Sequence, residues 1–268
     1  MAERDKAAPD LDALRPRLFG GVPETLVRRA AFPRLPADDL QFLQDQRDLT
    51  CLLADALDAR GVGAVVPAAD LGPLAPQRAV CGQALTLRCE PYGGTPAAHY
   101  ARSSPALAGD RDLYGLAVPG AGDIAVITAD GDTRTAVAGD LSAGFAAAAG
   151  VGGILVDGAV RDVRALRAGP VPVWARGVTP LAARYRWRAA ELNGTVTLAG
   201  ARVEAGDLVA ADANGVCVVP FGSVPEVLAD CRRLVAAEAH MASALAEAAA
   251  GTVTFEQLIT RTRGRPVL

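Results

Sequence analysis

Two short stretches of the chain carry side chains that could do chemistry together. Gly139-Asp140-Leu141-Ser142 puts a carboxylate at a predicted helix start, and Val156-Asp157-Gly158-Ala159-Val160-Arg161-Asp162 ends in a guanidinium beside a second carboxylate. Twenty residues separate Asp140 from Arg161. That interval fits one helix, a turn and one strand, a unit that returns the strand's end toward an adjacent element. At a helix start the amides of Leu141 and Ser142 lack intrahelical partners and can hold an anion. Arg161 and Asp162 fall just past a strand, where open α/β sheets place their ligands. Each residue alone has a plainer role, since aspartates often cap helices and Arg-Asp pairs often sit on surfaces. Their convergence is what points to chemistry on a small anion.

The elements that must position these residues are readable in outline. Residues 38–60 read as one helix, with Leu40, Leu43, Thr50, Cys51, Ala54 and Leu57 on one face and Gly61 as its stop. Strand-like runs follow at 79–81 and 84–89. Residues 91–122 form a Gly-, Pro- and Ser-rich segment holding His99, Tyr100, Arg102 and Tyr114, long enough to be a binding loop. A strand at 124–128, a turn at 130–132, a helix at 140–149, a strand at 153–156, a short helix at 163–167 and a strand at 171–175 come next. Residues 207–219 read as a hairpin turning at Asp212-Ala213-Asn214-Gly215, with Gly215 left-handed. A long helix occupies about 225–250. The alternation defines an α/β class. Residues 1–36 carry five of the eighteen prolines and read as an arm, with 37–268 as the main domain.

Composition narrows the chemistry. Net charge is −3 with both signs interspersed, so no basic face for nucleic acid is expected. No long apolar run suggests a membrane span, and the N-terminus lacks a secretory core, which reads as cytoplasmic. Five cysteines without a CxxC pair read as free thiols. With only His99 and His240, a His-rich zinc site is excluded, and any metal must rest on oxygen ligands, as Mg²⁺ or Mn²⁺ would. Lys6 is the sole lysine and lies in the arm, which argues against Schiff-base and pyridoxal chemistry.

Asp140 followed after twenty residues by Arg161-Asp162 resembles the signature of the RraA-like family, which includes class II pyruvate aldolases acting on 4-hydroxy-4-methyl-2-oxoglutarate and 4-carboxy-4-hydroxy-2-oxoadipate. Thr50 with Asp55-Ala56-Leu57, Pro172 to Gly177 with Thr179-Pro180, and Gly206-Asp207 to Pro220 agree, so the resemblance covers about 38–250. It implies an αββα sandwich like the swivelling phosphohistidine domain, assembled as a homotrimer or homohexamer. It also implies that Asp162 binds Mg²⁺ or Mn²⁺, that Arg161 contacts the pyruvyl group, and that the Leu141 and Ser142 amides hold its carboxylate. Asp140 is implied to hold a water on the ion. The family also contains a ribonuclease E regulator, so a non-catalytic protein-binding role is the rival reading, as is a shift to another 2-oxo acid or a biosynthetic substrate.

In the aldolases a further carboxylate comes from a neighbouring subunit's C-terminal helix. At 100° per residue, Val227, Cys231, Leu234, Val235, Ala242 and Leu245 form one apolar stripe with Glu238 in its middle. A carboxylate there needs a partner: a neighbouring active site or an arginine across a contact. Three features depart from the family pattern: the stretched Pro119-Gly120-Ala121-Gly122-Asp123, the long 91–118 segment and the arm. The expected chemistry is metal-assisted cleavage of a carbon–carbon bond in a small 2-oxo acid. Arg161 would stabilise the enolate, and Asp140 and Glu238 would handle the proton.

Overall fold

One long strand organises the molecule. The computed structural model describes residues 11–263, the His240 side chain excepted, and β3 (Val80–Pro91) lies at its centre. From Val80 to Gln83 it pairs antiparallel with β11 (Leu208–Ala211), which continues to β12 (Gly215–Val219) and β1 (Ala64–Pro67). From Ala84 onward it pairs in parallel with β4 (Ile124–Thr128), followed by β6 (Gly153–Val160), β7 (Val173–Val178) and the two-residue β2 (Gly72–Pro73). Its other edge takes β8 (Trp187–Leu192), and β5 (Ala136–Ala138) joins the end of β6. A separate ribbon, β9 (Thr195–Leu198) with β10 (Ala201–Glu204), completes the strands. At the crossing from one sheet half to the other, buried Gln83 accepts from Leu35 N (2.9 Å) and donates to Pro33 O (2.9 Å) and Gly206 O (3.0 Å).

Strand alternation feeds two cores from each strand. Val216 and Val218 of β12, Val209 of β11, Val126 of β4 and Leu155 of β6 face one interior between the sheet halves, joined by Trp174 and by Val196, Leu198 and Val203 of the ribbon. Their neighbours Cys217, Val219 and Leu208 face outward to α1 (Ala37–Gln44), α2 (Leu49–Arg60) and α7 (Val224–Ala249). Ala125, Ile127, Ile154 and Val156 face the opposite way, toward α4 (Asp110–Gly115), α5 (Asp140–Ala149) and α6 (Val163–Ala168). The order is helix, sheet, sheet, helix. This is the expected αββα arrangement, and β6 runs through it buried at every residue.

Several local expectations are corrected. The helix expected over 38–60 is two, because Asp48 leaves helical geometry (φ −111°, ψ 65°). The new start is stabilised from afar: Asp212 accepts from Thr50 N (3.0 Å) and Thr50 Oγ1 (2.6 Å). Such a cap contributes about 1 kcal/mol, and no local signal announces it. The runs 79–81 and 84–89 are one strand. Asp157-Gly158, left outside the strand expected at 153–156, lies inside β6, where the Asp157 carboxylate pairs with Arg176 and accepts from Ala199 N (3.1 Å). Gly215 takes a positive φ as expected, but at 148° rather than the αL value of roughly +57°, and it lets the Val66 carbonyl of β1 approach closer than any Cβ would permit. The 91–122 segment holds two short helices, α3 (Pro96–Ala101) and α4.

The arm, of which residues 1–10 (including Lys6) lie outside the described residues, runs along the domain. Arg28 N donates to Leu192 O (2.8 Å), and Asn193 Nδ2 donates to Arg29 O (3.0 Å). Asp123, fully buried, pairs with Arg34 of the arm and accepts from Val118 N (2.9 Å). The stretched Pro119–Asp123 turn is therefore closed by its own aspartate. Among the described residues no helix is long and apolar enough to cross a membrane.

Candidate active site

β6 ends at Val160, and the next two residues are Arg161 and Asp162 of the sequence motif. Asp162 takes a left-handed conformation (φ 57°, ψ 37°) at the start of α6, which aspartate tolerates better than most residues. This turns its carboxylate back toward α5, where Asp140 N donates to Asp162 Oδ2 (3.3 Å). Arg161 Nε lies 3.4 Å from the same oxygen. Gly139 makes this approach possible. A Cβ there would sit 2.5 Å from Asp162 Oδ2 and 3.0 Å from Arg161 Cγ. The glycine is required for space, since its extended backbone would suit any residue.

The anion cradle is expected at the first turn of α5, where one of its amides is taken by a neighbouring side chain. Leu141 N donates to Asp140 Oδ1 (2.8 Å), so a bound carboxylate must share or replace that contact. Ser142 contributes differently. Its hydroxyl donates to Asp110 Oδ2 (2.6 Å) and lies 2.9 Å from the Tyr114 hydroxyl, which then acts as donor. The hydroxyl is committed to both neighbours.

These residues face a cleft of about 460 Å³, lined by Asp140, Leu141, Ser142, Arg161 and Asp162. The same walls carry Asp110, Arg111, Asp112 and Arg184. Asp112 accepts from Gly20 N (2.7 Å) and Gly21 N (3.0 Å) of the arm. Burial raises its carboxyl pKa, against the pull of those amides and with a further push from Asp110. Burial likewise pushes the Tyr114 phenol up, reinforced by Asp110. The Cys89 thiol, also in the wall, is pushed up to about 12, chiefly by burial. It stays protonated near neutral pH and is no nucleophile.

Asp110, Asp112 and Arg111 escaped the sequence reading. Their signal was an acid–base–acid run after Gly109 and ahead of Leu113-Tyr114, a helix start inside a stretch taken as loop. His99, Tyr100 and Arg102 do not line the cleft. The His99 ring instead stacks on Tyr185 (5.4 Å) and meets Tyr92 edge-on (4.4 Å), while its Nε2 bonds Gly93 O (2.7 Å).

Glu238 stands apart. It is exposed on α7, in the helical layer across both sheets from the cleft. The expected stripe is only half used: Val227, Cys231 and Leu234 are buried against α2, whereas Ala242 is exposed and Leu245 is 52% exposed. α8 (Phe255–Thr262) folds back on the far part of α7 through Leu258 and Val253 against Ala244 and Ala248. Within one subunit Glu238 does not meet Asp140 or Asp162.

A sandwich with Asp140 and Arg161-Asp162 converging at a strand end defines the class. The family model described as Aldolase/RraA, RraA-like, matches residues 50–218, and the chain belongs to that family. It is 39% identical over 112 residues to a Halalkalibacterium halodurans protein provisionally named 4-hydroxy-4-methyl-2-oxoglutarate aldolase, covering 42% of this chain and 53% of the relative. A Hahella chejuensis protein under the same provisional name is 38% identical over 102 residues, covering 38% and 62%. The chain thus spans little more than half the length of these curated relatives. Among solved structures, Streptomyces coelicolor RraAS2, described as an unusual member of the RNase ES inhibitor RraA protein family, superimposes with TM-score 0.58 at 26% identity, covering 73% of this chain and 91% of that one. An uncharacterised Pseudomonas syringae protein shares the fold at TM-score 0.66 and 24% identity, covering 85% and 99%.

Proposed function

We propose that this protein is a divalent-metal-assisted lyase that cleaves a carbon–carbon bond of a 2-oxo acid, by retro-aldol reaction to pyruvate or by decarboxylation of an oxaloacetate-type acid. The observation that carries this reading is the meeting of the α5 amides, Arg161, Asp140 and Asp162 on one wall of the cleft. The relatives named as aldolases support it.

The residues divide the work by their geometry. The Leu141 and Ser142 amides bind the substrate carboxylate at the positive end of α5. Arg161 lies beside the 2-oxo group and stabilises the enolate as charge develops there. Asp140, whose carboxylate must release Leu141 N when substrate binds, is placed to take the proton leaving the hydroxyl. No cluster of three or more metal-ligating side chains exists among the described residues. Asp162, with a side chain 36% exposed and only long contacts, still offers a hard oxygen donor with spare capacity. That fits Mg²⁺ or Mn²⁺, which commonly rest on one or two carboxylates plus substrate and water oxygens. Bound there, the ion would supply Lewis-acid polarisation of the 2-oxo group.

We further assign the working form to a homotrimer or homohexamer in which Glu238 serves the proton step of a neighbouring subunit. Exposed Leu245 beyond it on α7, and exposed Leu141 and Phe145 on α5, are the apolar surfaces such an assembly would cover. The second reading, a non-catalytic regulator of a ribonuclease, draws on the likeness to RraAS2.

The test is a panel of 2-oxo acids, oxaloacetate and 4-hydroxy-4-methyl-2-oxoglutarate included, assayed for pyruvate with Mg²⁺, with Mn²⁺ and with a chelator. Release of pyruvate that stops on chelation is expected. Absence of turnover with every acid and both metals would remove the lyase reading in favour of the regulator.

A further inference from the structure

Outside the signature residues the cleft lining includes an apolar part, and that part is held in place by the fold. Pro105 to Ala108 line it, on a strained path that begins at Ser103, with Ser103 (φ 51°) and Leu107 (φ 46°) in the left-handed region that disfavours side chains larger than glycine. Three successive anchors hold this path. Tyr185 Oη donates to Ser104 O (2.8 Å), Tyr92 Oη donates to Pro105 O (2.8 Å), and Ala189 N donates to Leu107 O (2.7 Å). The stack of Tyr92, His99 and Tyr185 sets those hydroxyls in place. Leu107 belongs to none of the hydrophobic cores, yet it lines the cleft. A leucine held at a costly backbone conformation, outside every core, has its reason in what the cleft receives.

A second piece comes from the arm. Phe19 lines the cleft and is 58% exposed. The Asp112 carboxylate fixes its position by gripping the two amides that follow, Gly20 and Gly21. The Arg111 guanidinium lies over both the Phe19 ring (4.6 Å) and the Phe145 ring (4.4 Å), and the two rings meet edge-on (5.9 Å). Trp187 adds another ring surface, its Nε1 donating to Asp132 Oδ2 (3.2 Å), so its apolar face is what remains. Both Phe19 and Leu107 lie in the parts of the chain that exceed the family pattern.

Size completes the argument. A water molecule takes about 30 Å³ in the liquid, so a cleft of about 460 Å³ has room for roughly fifteen such units. A pyruvyl head uses well under half of that. We infer that the substrate is a 2-oxo acid with a bulky apolar substituent, an aryl or branched alkyl group, lodged between Phe19, Leu107 and Trp187. This rests on the lyase reading above. The reaction balances as a retro-aldol of a 4-aryl-4-hydroxy-2-oxo acid. The C3–C4 bond breaks, its electron pair becomes the enolate, the hydroxyl loses its proton, C3 gains one, and pyruvate and an aromatic aldehyde leave. The competing occupant is a second carboxylate, because neither Arg111 nor Arg184 has a carboxylate within ion-pair distance among the described residues. Both spend their faces on rings instead: Arg111 as above, and exposed Arg184 against Tyr100 and Tyr185.

Two measurements on the full chain decide it. Turnover of 4-hydroxy-2-oxo-4-phenylbutanoate is compared with that of 4-hydroxy-4-methyl-2-oxoglutarate, with oxaloacetate as a head-group control. A kcat/KM at least tenfold higher for the phenyl compound is expected. Equal use, or preference for the diacid, overturns the inference while turnover of oxaloacetate keeps the lyase reading intact. Binding is measured separately by calorimetry with phenylpyruvate and 2-oxoglutarate, so that a chain without activity still gives an answer. The phenyl acid should bind at least tenfold more tightly, and the reverse order sinks the proposal. Leu107→Gly, which suits the left-handed backbone and should fold, and Phe19→Ala should each bring the ratio of the two dissociation constants toward one. A ratio unchanged in both variants also counts against the assigned compartment.

Discussion

Asp212 and Asp162 are both aspartates at chain reversals just past strand ends, and they could hardly be treated more differently. Asp212 is 5% exposed and accepts three good hydrogen bonds, from Thr50 N, Thr50 Oγ1 and Asn214 N (2.8 Å), while its carbonyl takes the Trp174 indole (2.9 Å). Asp162 has one amide at 3.3 Å and one guanidinium nitrogen at 3.4 Å. An ionised carboxylate offers about four acceptor sites. Asp212 has spent most of its capacity on holding α2 and β7 to the hairpin, whereas Asp162 retains most of its own. Saturation marks a structural carboxylate, and spare capacity at a cleft marks one available for chemistry.

Exchanging the two for alanine puts the contrast under the greatest strain. Asp162→Ala should lower metal-dependent turnover by on the order of 10³-fold or more while leaving the unfolding midpoint close to wild type. Asp212→Ala should do the opposite: a loss of about 2–4 kcal/mol in stability from orphaned donors, with kcat per folded molecule retained. Denaturation curves and initial rates on both proteins check this together. The contrast breaks if Asp162→Ala melts early or keeps its activity.

A smaller effect sharpens the cleft side. Arg161→Lys keeps the charge but loses the planar fork, and kcat should fall by roughly 10–100-fold. If only KM rises, Arg161 binds substrate and transition state equally, and its assigned role in enolate formation is wrong.

The smallest effect belongs to the outer helical layer. Asp230 of α7 is bonded to Arg60 of α2 and to Arg233, and the Arg60 bond is the main cause of its carboxyl pKa lying below the usual 3.8. A depressed folded-state value means the stabilisation is present above the unfolded pKa and is lost as pH falls through the folded one. Wild type should therefore lose stability more steeply than Asp230→Asn on acidification below about pH 4. Parallel acid limbs in the two proteins would show that the pair contributes nothing to holding α2 on α7.

How much of this was legible depended on whether the cause was local. Asp140, Arg161 and Asp162 stood out because their spacing equals one helix and one strand, and the near-continuous apolar runs at 124–128, 208–211 and 216–219 mark strands buried on both faces. The break at Asp48 was hidden because its cap, Asp212, lies far along the chain. The continuation of β6 through Asp157-Gly158 was hidden because a buried aspartate in a strand makes sense only once Arg176 and Ala199 are beside it. The cleft's second wall was the hardest to see. Phe19, Leu107 and Asp112 converge through hydrogen bonds between segments that share no periodicity, and a left-handed leucine leaves no mark in a sequence.

The membership of β3 in both halves of the sheet also sets a timetable for synthesis. The parallel half, β3 with β4, β6 and β7, is complete in sequence by Val178, and it already contains Asp140, Arg161 and Asp162. The other half cannot close until β11 and β12 have emerged, at Val219. At ordinary rates of elongation the ribosome needs on the order of two to eight seconds for that stretch. During that interval the nascent chain exposes Leu53, Leu57 and Cys81, the apolar faces that β11, β12 and α7 later cover. The signature wall is thus the part able to form first, and the outer layer is where a stalled or slowly translated chain would be open to aggregation or to a chaperone.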